Sequence, residues 1–157
     1  MSKFFAVIGM AAVVVILLGI AAFGYVAYRG NALDEEASAY SARAVTAITS
    51  HWDAAELMSR ATPQLAHATS QDQLGALFQR FGTLGPLRGA PHCQGSSLVS
   101  MTPAGTRTSG SYTCTAQFQS GPAEIAMALV KAHGTWLING FHVTSQLLGS
   151  DKLLQKA

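Results

Sequence analysis

Two cysteines, Cys93 and Cys114, and five histidines are the side chains in this chain best suited to bond formation, metal ligation or proton transfer. Both cysteines sit inside strand-like segments. Two strands joined by a short connection would place them for a cross-strand bridge that closes a loop of about 22 residues. In the loop-entropy model such a bridge contributes on the order of 3 kcal/mol, and it persists only in an oxidising compartment. The competing reading is a pair of buried free thiols in a cytoplasmic domain, since cysteine behaves as a small hydrophobe. Zinc fits poorly. His92 and Cys93 are adjacent, so on a strand they point to opposite faces, and Cys114 adds a third ligand without a paired spacing. Neither a metal nor a cofactor is expected.

Acid–base chemistry needs a titratable group aimed into a cavity, with a partner in hydrogen-bond reach. Asp53, Glu56, Asp72, Glu124 and Asp151 fall at a helix bend, a cap, a strand start or the tail, where solvation is the default. His51 lies on an apolar helical stripe beside Trp52, where a backbone carbonyl usually satisfies a histidine. His142, between Phe141 and Val143 on a strand, should point opposite to them, either to solvent or, if the faces are reversed, into the interior. His67, His92 and His133 flank turns. No phosphate loop, nucleophile elbow or paired-histidine motif occurs, so the chain reads as non-catalytic. A net charge of +2 without a run of Lys or Arg gives no footprint for nucleic acid.

These groups must be held by something, and the amino-terminal stretch says where. Residues 4–28 carry no charged side chain, and a helix rising about 1.5 Å per residue over that length crosses a hydrocarbon core of roughly 30 Å. Ala22-Phe23-Gly24 offers a signal-peptidase pattern, but a signal h-region spans only about 7 to 15 residues, so an uncleaved anchor fits better. The organisation expected is a cytoplasmic amino terminus at 1–3, a transmembrane helix at 4–28, a joint at 29–33, a domain at 34–149 and a tail at 150–157. No Gly-x-x-x-Gly motif suggests self-association through the anchor. Flanking charge decides orientation weakly, and the cysteines break the tie by placing the domain outside the cytoplasm.

The domain begins helical. Ala37, Tyr40, Ala44, Ile48, His51, Ala55 and Met58 form one stripe, which Ser50 to Asp53 bends or divides. Thr62-Pro63 stops that helix and a short turn follows through Leu65. Ser70 to Gln73 matches a capping box, and Leu74, Leu77, Phe78 and Phe81 make a helical face that Gly82 and Gly85-Pro86 end. From Gly89 the period becomes two. A strand from Cys93 to Thr102 is joined through a Pro103 to Gly110 loop to an alternating strand with Tyr112, Cys114, Ala116 and Phe118 on one face. Ala123 to Ala132 reads as a central strand covered on both faces. The last strand, Thr135 to Leu147, contains Asn139-Gly140; a bulge there restores one face bearing Trp136, Ile138, Phe141 and Val143.

The wording of the chain adds to this order of elements: Trp52 near the second helix, Leu84-Gly85-Pro86-Leu87 leading into the sheet, Tyr112, Phe118 and Gly121 before Leu129-Val130-Lys131, and a closing Gly134-Thr135-Trp136-Leu137-Ile138-Asn139-Gly140-Phe141-His142-Val143. Over about residues 34 to 147 it resembles the nuclear transport factor 2-like superfamily, the cystatin-like roll, and within it the bacterial members of unknown function. The resemblance implies an α+β, cone-shaped roll of about three helical segments on a curved four-stranded antiparallel sheet. It also implies a bacterial, single-pass inner-membrane protein with its domain in the periplasm. Trp52, Phe78, Tyr112, Phe118, Trp136, Phe141 and His142 are the candidate cavity or ligand-binding residues, although aromatic residues in so small a domain usually fill the core.

Because this roll hosts many activities, the resemblance is poor for function. The anchored periplasmic modules of type IV secretion assembly proteins, which dimerise and scaffold, are also similar. The leading expectation is a non-catalytic binding or scaffolding module for a protein partner, a second copy or a small apolar ligand. The alternatives are a lyase- or isomerase-like enzyme using His51, Asp53 or His142 in a deep pocket, and a pilin-like subunit. Against the pilin reading, the hydrophobic segment of this chain lacks the buried Glu near its start and the processing Gly before its first Phe.

Overall fold

The computed structural model describes the backbone of residues 2–148 and the side chains of residues 16–22 and 30–148. The expected tail at 150–157, with Asp151, lies outside the described residues. The chain divides into two compact units, Met1–Leu33 and Asp34–Ala157.

The first unit is helical, within α1 (Ser2–His51). Among the described residues no helix is long and apolar enough to cross a membrane. Most side chains of the expected 4–28 span lie outside those residues, while Ile16, Leu17, Leu18 and Ile20, which are inside them, are exposed. Residues 29–33, expected as a joint, are helical instead. The single Gly30 costs only about 1 kcal/mol in a helix, too little to break a ladder that continues on both sides.

The second unit opens with the remainder of α1. Its buried face is Ala37, Ser41, Ala44, Val45, Ile48 and Thr49, shifted from the expected stripe: Tyr40 is half-buried and His51 exposed. The Ser41 and Thr49 hydroxyls donate back to the Ala37 and Val45 carbonyls at 2.8 Å, so both are buried without needing an outside partner. At its end the Asp53 amide donates to the Ile48 carbonyl at 3.1 Å, and Trp52 takes φ of +49°. This is a Schellman-type stop with tryptophan where glycine is the default.

Asp53 then caps α2 (Ala54–Ser59), accepting from the Ala55 amide at 2.8 Å. The stripe is therefore divided at Trp52, and Ala55 is left exposed. Thr62 caps α3 (Pro63–Ala68), a helix where a short turn was expected. Pro63 suits its first position because that amide needs no partner. In α4 (Gln71–Gly82) Leu74, Phe78 and Phe81 are buried, as their spacing requires. Ser70 stands at its N-cap but its side chain makes no cap hydrogen bond, so the expected capping box is not formed; the residue is exposed and water can serve those amides.

The carboxy-terminal half is an antiparallel meander of β1 (His92–Thr102), β2 (Gly105–Gln117), β3 (Pro122–Ala132) and β4 (Thr135–Thr144), in that spatial order. The expected Pro103 to Gly110 loop is only Pro103-Ala104, with Thr102 paired to Gly105. Gly105 at φ +126° permits the tight reversal, and the Thr- and Ser-rich run after it is β-compatible rather than loop. Strand β2 alternates as expected. Strand β3 does not bury both faces: Ala123, Ile125, Met127 and Leu129 are inside, while Glu124, Ala126 and Ala128 are exposed. Its apolar run misled because the outward positions are mostly alanine, too small to demand cover. The bulge is present. Ala128 pairs with Gly140 and Leu129 with Ile138, which leaves Asn139 as the extra residue and returns Trp136, Ile138 and Val143 to the core.

The bulge also holds the helices. Ile138 exchanges backbone bonds with Arg60 and Thr62 at 2.8 Å each, and the Thr62 hydroxyl donates to Asn139 Oδ1 at 2.8 Å. Within the sheet, Tyr112 lies across Gly95 and Gly110. A Cβ at Gly95 would collide with the Ser111 carbonyl and the Tyr112 ring. We expect Gly95→Ala to cost about 3 kcal/mol of stability by overpacking, whereas Gly75→Ala, with nothing within 4 Å of its added methyl, should gain about 1 kcal/mol from helix propensity. Urea denaturation of both variants checks the contrast; equal midpoints would contradict it.

Candidate functional site

Of the seven candidate cavity residues, the structure brings four together. Trp52 is the hub: its ring centroid lies 6.3 Å from Phe78, 5.6 Å from Phe81 and 5.2 Å from Phe118, and its Nε1 donates to the Gly85 carbonyl at 3.2 Å. Phe141 stacks on Phe78 at 6.4 Å. A left-handed backbone costs a bulky residue on the order of 1 to 2 kcal/mol, and this ring packing offsets it. The cluster fills space rather than enclosing it, because Phe78, Phe81 and Phe118 are buried against one another.

Beside the cluster runs a groove of about 500 Å³, lined by His51, Trp52, Phe78, Gln79, Gly82 and Pro86 among others. His51 is the one titratable group among its lining residues, and it is exposed. Asp53 is occupied as a helix cap. No acid–base pair is assembled here. The groove offers an indole edge, a phenyl ring and an amide, a surface suited to flat apolar groups.

The other three candidates lie elsewhere. Tyr112 is buried, and its hydroxyl joins a polar junction that sequence reasoning missed. Asp34 Oδ1 accepts from the Ser97 amide at 2.6 Å and from the Tyr112 hydroxyl at 3.0 Å, while Tyr112 and Ser97 hydroxyls share a bond at 2.9 Å. Burial pushes the Tyr112 phenol above its ordinary value; the Ser97 bond opposes this, and the Asp34 carboxylate adds to it. Trp136 is buried, its Nε1 without a hydrogen-bond partner among the described residues, under the Lys131 ammonium at 5.4 Å from the ring centroid. Lys131 in turn donates to both Glu36 oxygens, at 2.9 and 2.7 Å. No short-range pattern flags Asp34 or Glu36, because their partners stand in strands far along the chain.

His142 falls on the outer face of the sheet, opposite to Phe141 and Val143, in the row Gln94–Thr113–Ala126–His142. The neighbouring rows on that face are His92–Thr115–Glu124–Thr144, Ser96–Ser111–Ala128–Gly140 and Leu98–Ser109–Val130–Leu137. No helix among the described residues covers them: Glu124, Ala126, Ala128, Ser96 and Ser111 are all exposed. Its middle rows are mostly Ser, Thr, Ala and Gly, with Glu124 near one end and Arg107 at the other.

Cys93 and Cys114 stand directly opposite each other in the β1–β2 ladder and form a disulfide. Neither thiol remains free. Among the described residues no group of three or more His, Cys, Asp or Glu is placed to hold a metal ion. Comparison with known proteins finds no matching family model, no matching curated protein and no matching solved structure.

The Tyr112 junction has a pH signature. A phenol whose value rises on folding holds its proton more tightly folded than unfolded. Its contribution is therefore complete below the ordinary value of 10.0 and is lost as pH climbs through the raised one. Urea midpoints should fall as pH climbs past the ordinary phenol value of 10.0, and Tyr112→Phe should shallow that decline. Parallel profiles for both proteins would contradict it.

Proposed function

We propose that this chain is a membrane-anchored, extracytoplasmic binding or scaffolding module without catalytic chemistry, whose working surface is the outer face of its sheet. The observation that carries the reading is that bare face. The helices of the second unit lie on the other side, and the interior between is filled by Tyr112, Phe118, Ile125, Met127, Leu129 and Ile138. A small ligand would have to displace packed side chains there, whereas a protein can lie on the outer face without any rearrangement. The uncharged stretch at 4–28 supports an inner-membrane anchor. The disulfide supports an oxidising compartment, which for a bacterial inner-membrane protein is the periplasm. Helices followed by a meander remain the feature on which the nuclear transport factor 2-like reading rests.

A second copy is the occupant that the outer face fits. Four strands spaced about 4.8 Å apart and about nine residues long at roughly 3.3 Å each present on the order of 570 Å² per partner, which reaches the size of a small specific interface. Stacking two copies with strand directions reversed brings Glu124 of each toward Arg107 of the other. Residues this small also allow two sheets to approach closely.

Two measurements test this reading. In spheroplasts, externally added protease should digest the domain as fast as it does after lysis; digestion only after lysis would overturn the topology. Chemical crosslinking of the full chain in detergent should trap a dimer that Ala128→Arg abolishes, because the new side chain projects from the centre of the outer face. A wild-type chain that stays monomeric would remove the second copy as occupant.

A further inference from the structure

One apolar surface belongs neither to the core nor to the small-residue rows of the outer face: the tip of the β1–β2 hairpin. Leu98, Val99 and Met101 are 67%, 42% and 84% exposed, three large apolar side chains within four residues. Successive strand residues point to opposite faces. Leu98 belongs to the outer row with Ser109, while Val99 and Met101 pair with Thr108 and Thr106 on the inner side. The β1 strand of the ribbon therefore puts a large apolar side chain on each face, beside Ser109, Thr108 and Thr106 of β2, and Pro103-Ala104 closes it. A docked protein covers one side of a ribbon. The interfacial layer of a lipid bilayer surrounds both faces, and it accepts the Ser and Thr side chains of β2 beside the apolar ones of β1.

The place of the tip in the domain agrees. Asp34 bonds to Ser97, and Ser38 bonds to the Cys93 carbonyl at 2.9 Å, so earlier helix residues lie nearer the tip. The chain thus enters the domain at the end of the sheet where the hairpin projects. Met101 lies four strand residues beyond Ser97, about 13 Å further in that direction. Asp34 is six residues past residue 28, no more than about 20 Å even fully extended.

We infer that the β1–β2 hairpin tip, residues 98–107, is a second membrane contact that dips into the interfacial layer of the bilayer holding the anchor. This rests on the anchored reading given under Proposed function. The contact would fix the tilt of the domain above the membrane and turn its outer face sideways, toward neighbours in the same plane.

The test uses the full chain reconstituted in vesicles of phosphatidylethanolamine and phosphatidylglycerol. Because the native cysteines are bridged, Met101→Cys and Gln146→Cys each provide a single reactive thiol for an environment-sensitive fluorophore. Gln146 is exposed and lies just past the end of β4, at the opposite end of the sheet from the tip. The probe at 101 should be blue-shifted and lose most of its emission to lipid-borne quenchers, while the probe at 146 should behave as in water. If the protein floats with the vesicles but the probe at 101 stays water-like, the tip contact is wrong and the anchor stands. If the protein does not float, the anchored reading fails and takes the inference with it. A blue shift that lipid-borne quenchers leave untouched would assign the tip to a protein contact instead, and equal quenching at both positions would mean unspecific adsorption; either overturns it.

Discussion

Three residues in one and a half turns of α1 hold the sheet in place. Asp34 grips Ser97 and Tyr112, Glu36 grips Lys131, and Ser38 grips the Cys93 carbonyl, so one stretch of helix is tied to β1, β2 and β3. The exposed Glu36–Lys131 pair alone would be worth little. The Asp34 bonds are part-buried, and two of them converge on one carboxylate oxygen, which gives them direction as well as strength. With the helix held there, its small face of Ala37, Ser41 and Ala44 settles onto the sheet. That choice makes one side of the sheet a core and leaves the other to solvent.

The same clamp explains where backbone strain and close approach are tolerated. Tyr112 reaches Asp34 only by lying over Gly95 and Gly110, where side chains are missing to admit it. Trp52 takes a left-handed backbone so that α1 can end while its ring still plugs the space between α4 and Phe118. At the opposite edge, Asn139 is pushed out of the ladder, and its side chain becomes the acceptor for Thr62. The disulfide joins the two strands that α1 grips most directly. For a separation of 21 residues, it contributes on the order of 3 kcal/mol in the loop-entropy model.

A domain built this way has one filled side and one bare side, and its chemistry follows from that division. Titratable groups near the groove are either exposed, as His51, or committed to a cap, as Asp53. The candidate aromatics Trp52, Phe78, Phe118 and Phe141 meet as a packed cluster, while Tyr112 and Trp136 serve contacts with α1 and Lys131. What the second unit presents outward is a sheet face rich in small residues and a hairpin tip bearing Leu98, Val99 and Met101.

Alternation, turn residues and the place of both cysteines in neighbouring strand-like segments were enough to read the four-strand meander, the bulge at Asn139 and the bridge between Cys93 and Cys114, because each depends on neighbours in the chain or on a strand period. The α4 face was legible for the same reason. Other features needed the assembled fold. Ala126 and Ala128 look like core in a string of apolar residues, and only the one-sided placement of helices makes them surface. Asp34 and Glu36 look like solvated acids until strands far along the chain bring Ser97, Tyr112 and Lys131 to them. Local pattern sets period, caps and turns; which face is covered, and which charges meet, is settled by contacts between segments that no window of sequence contains.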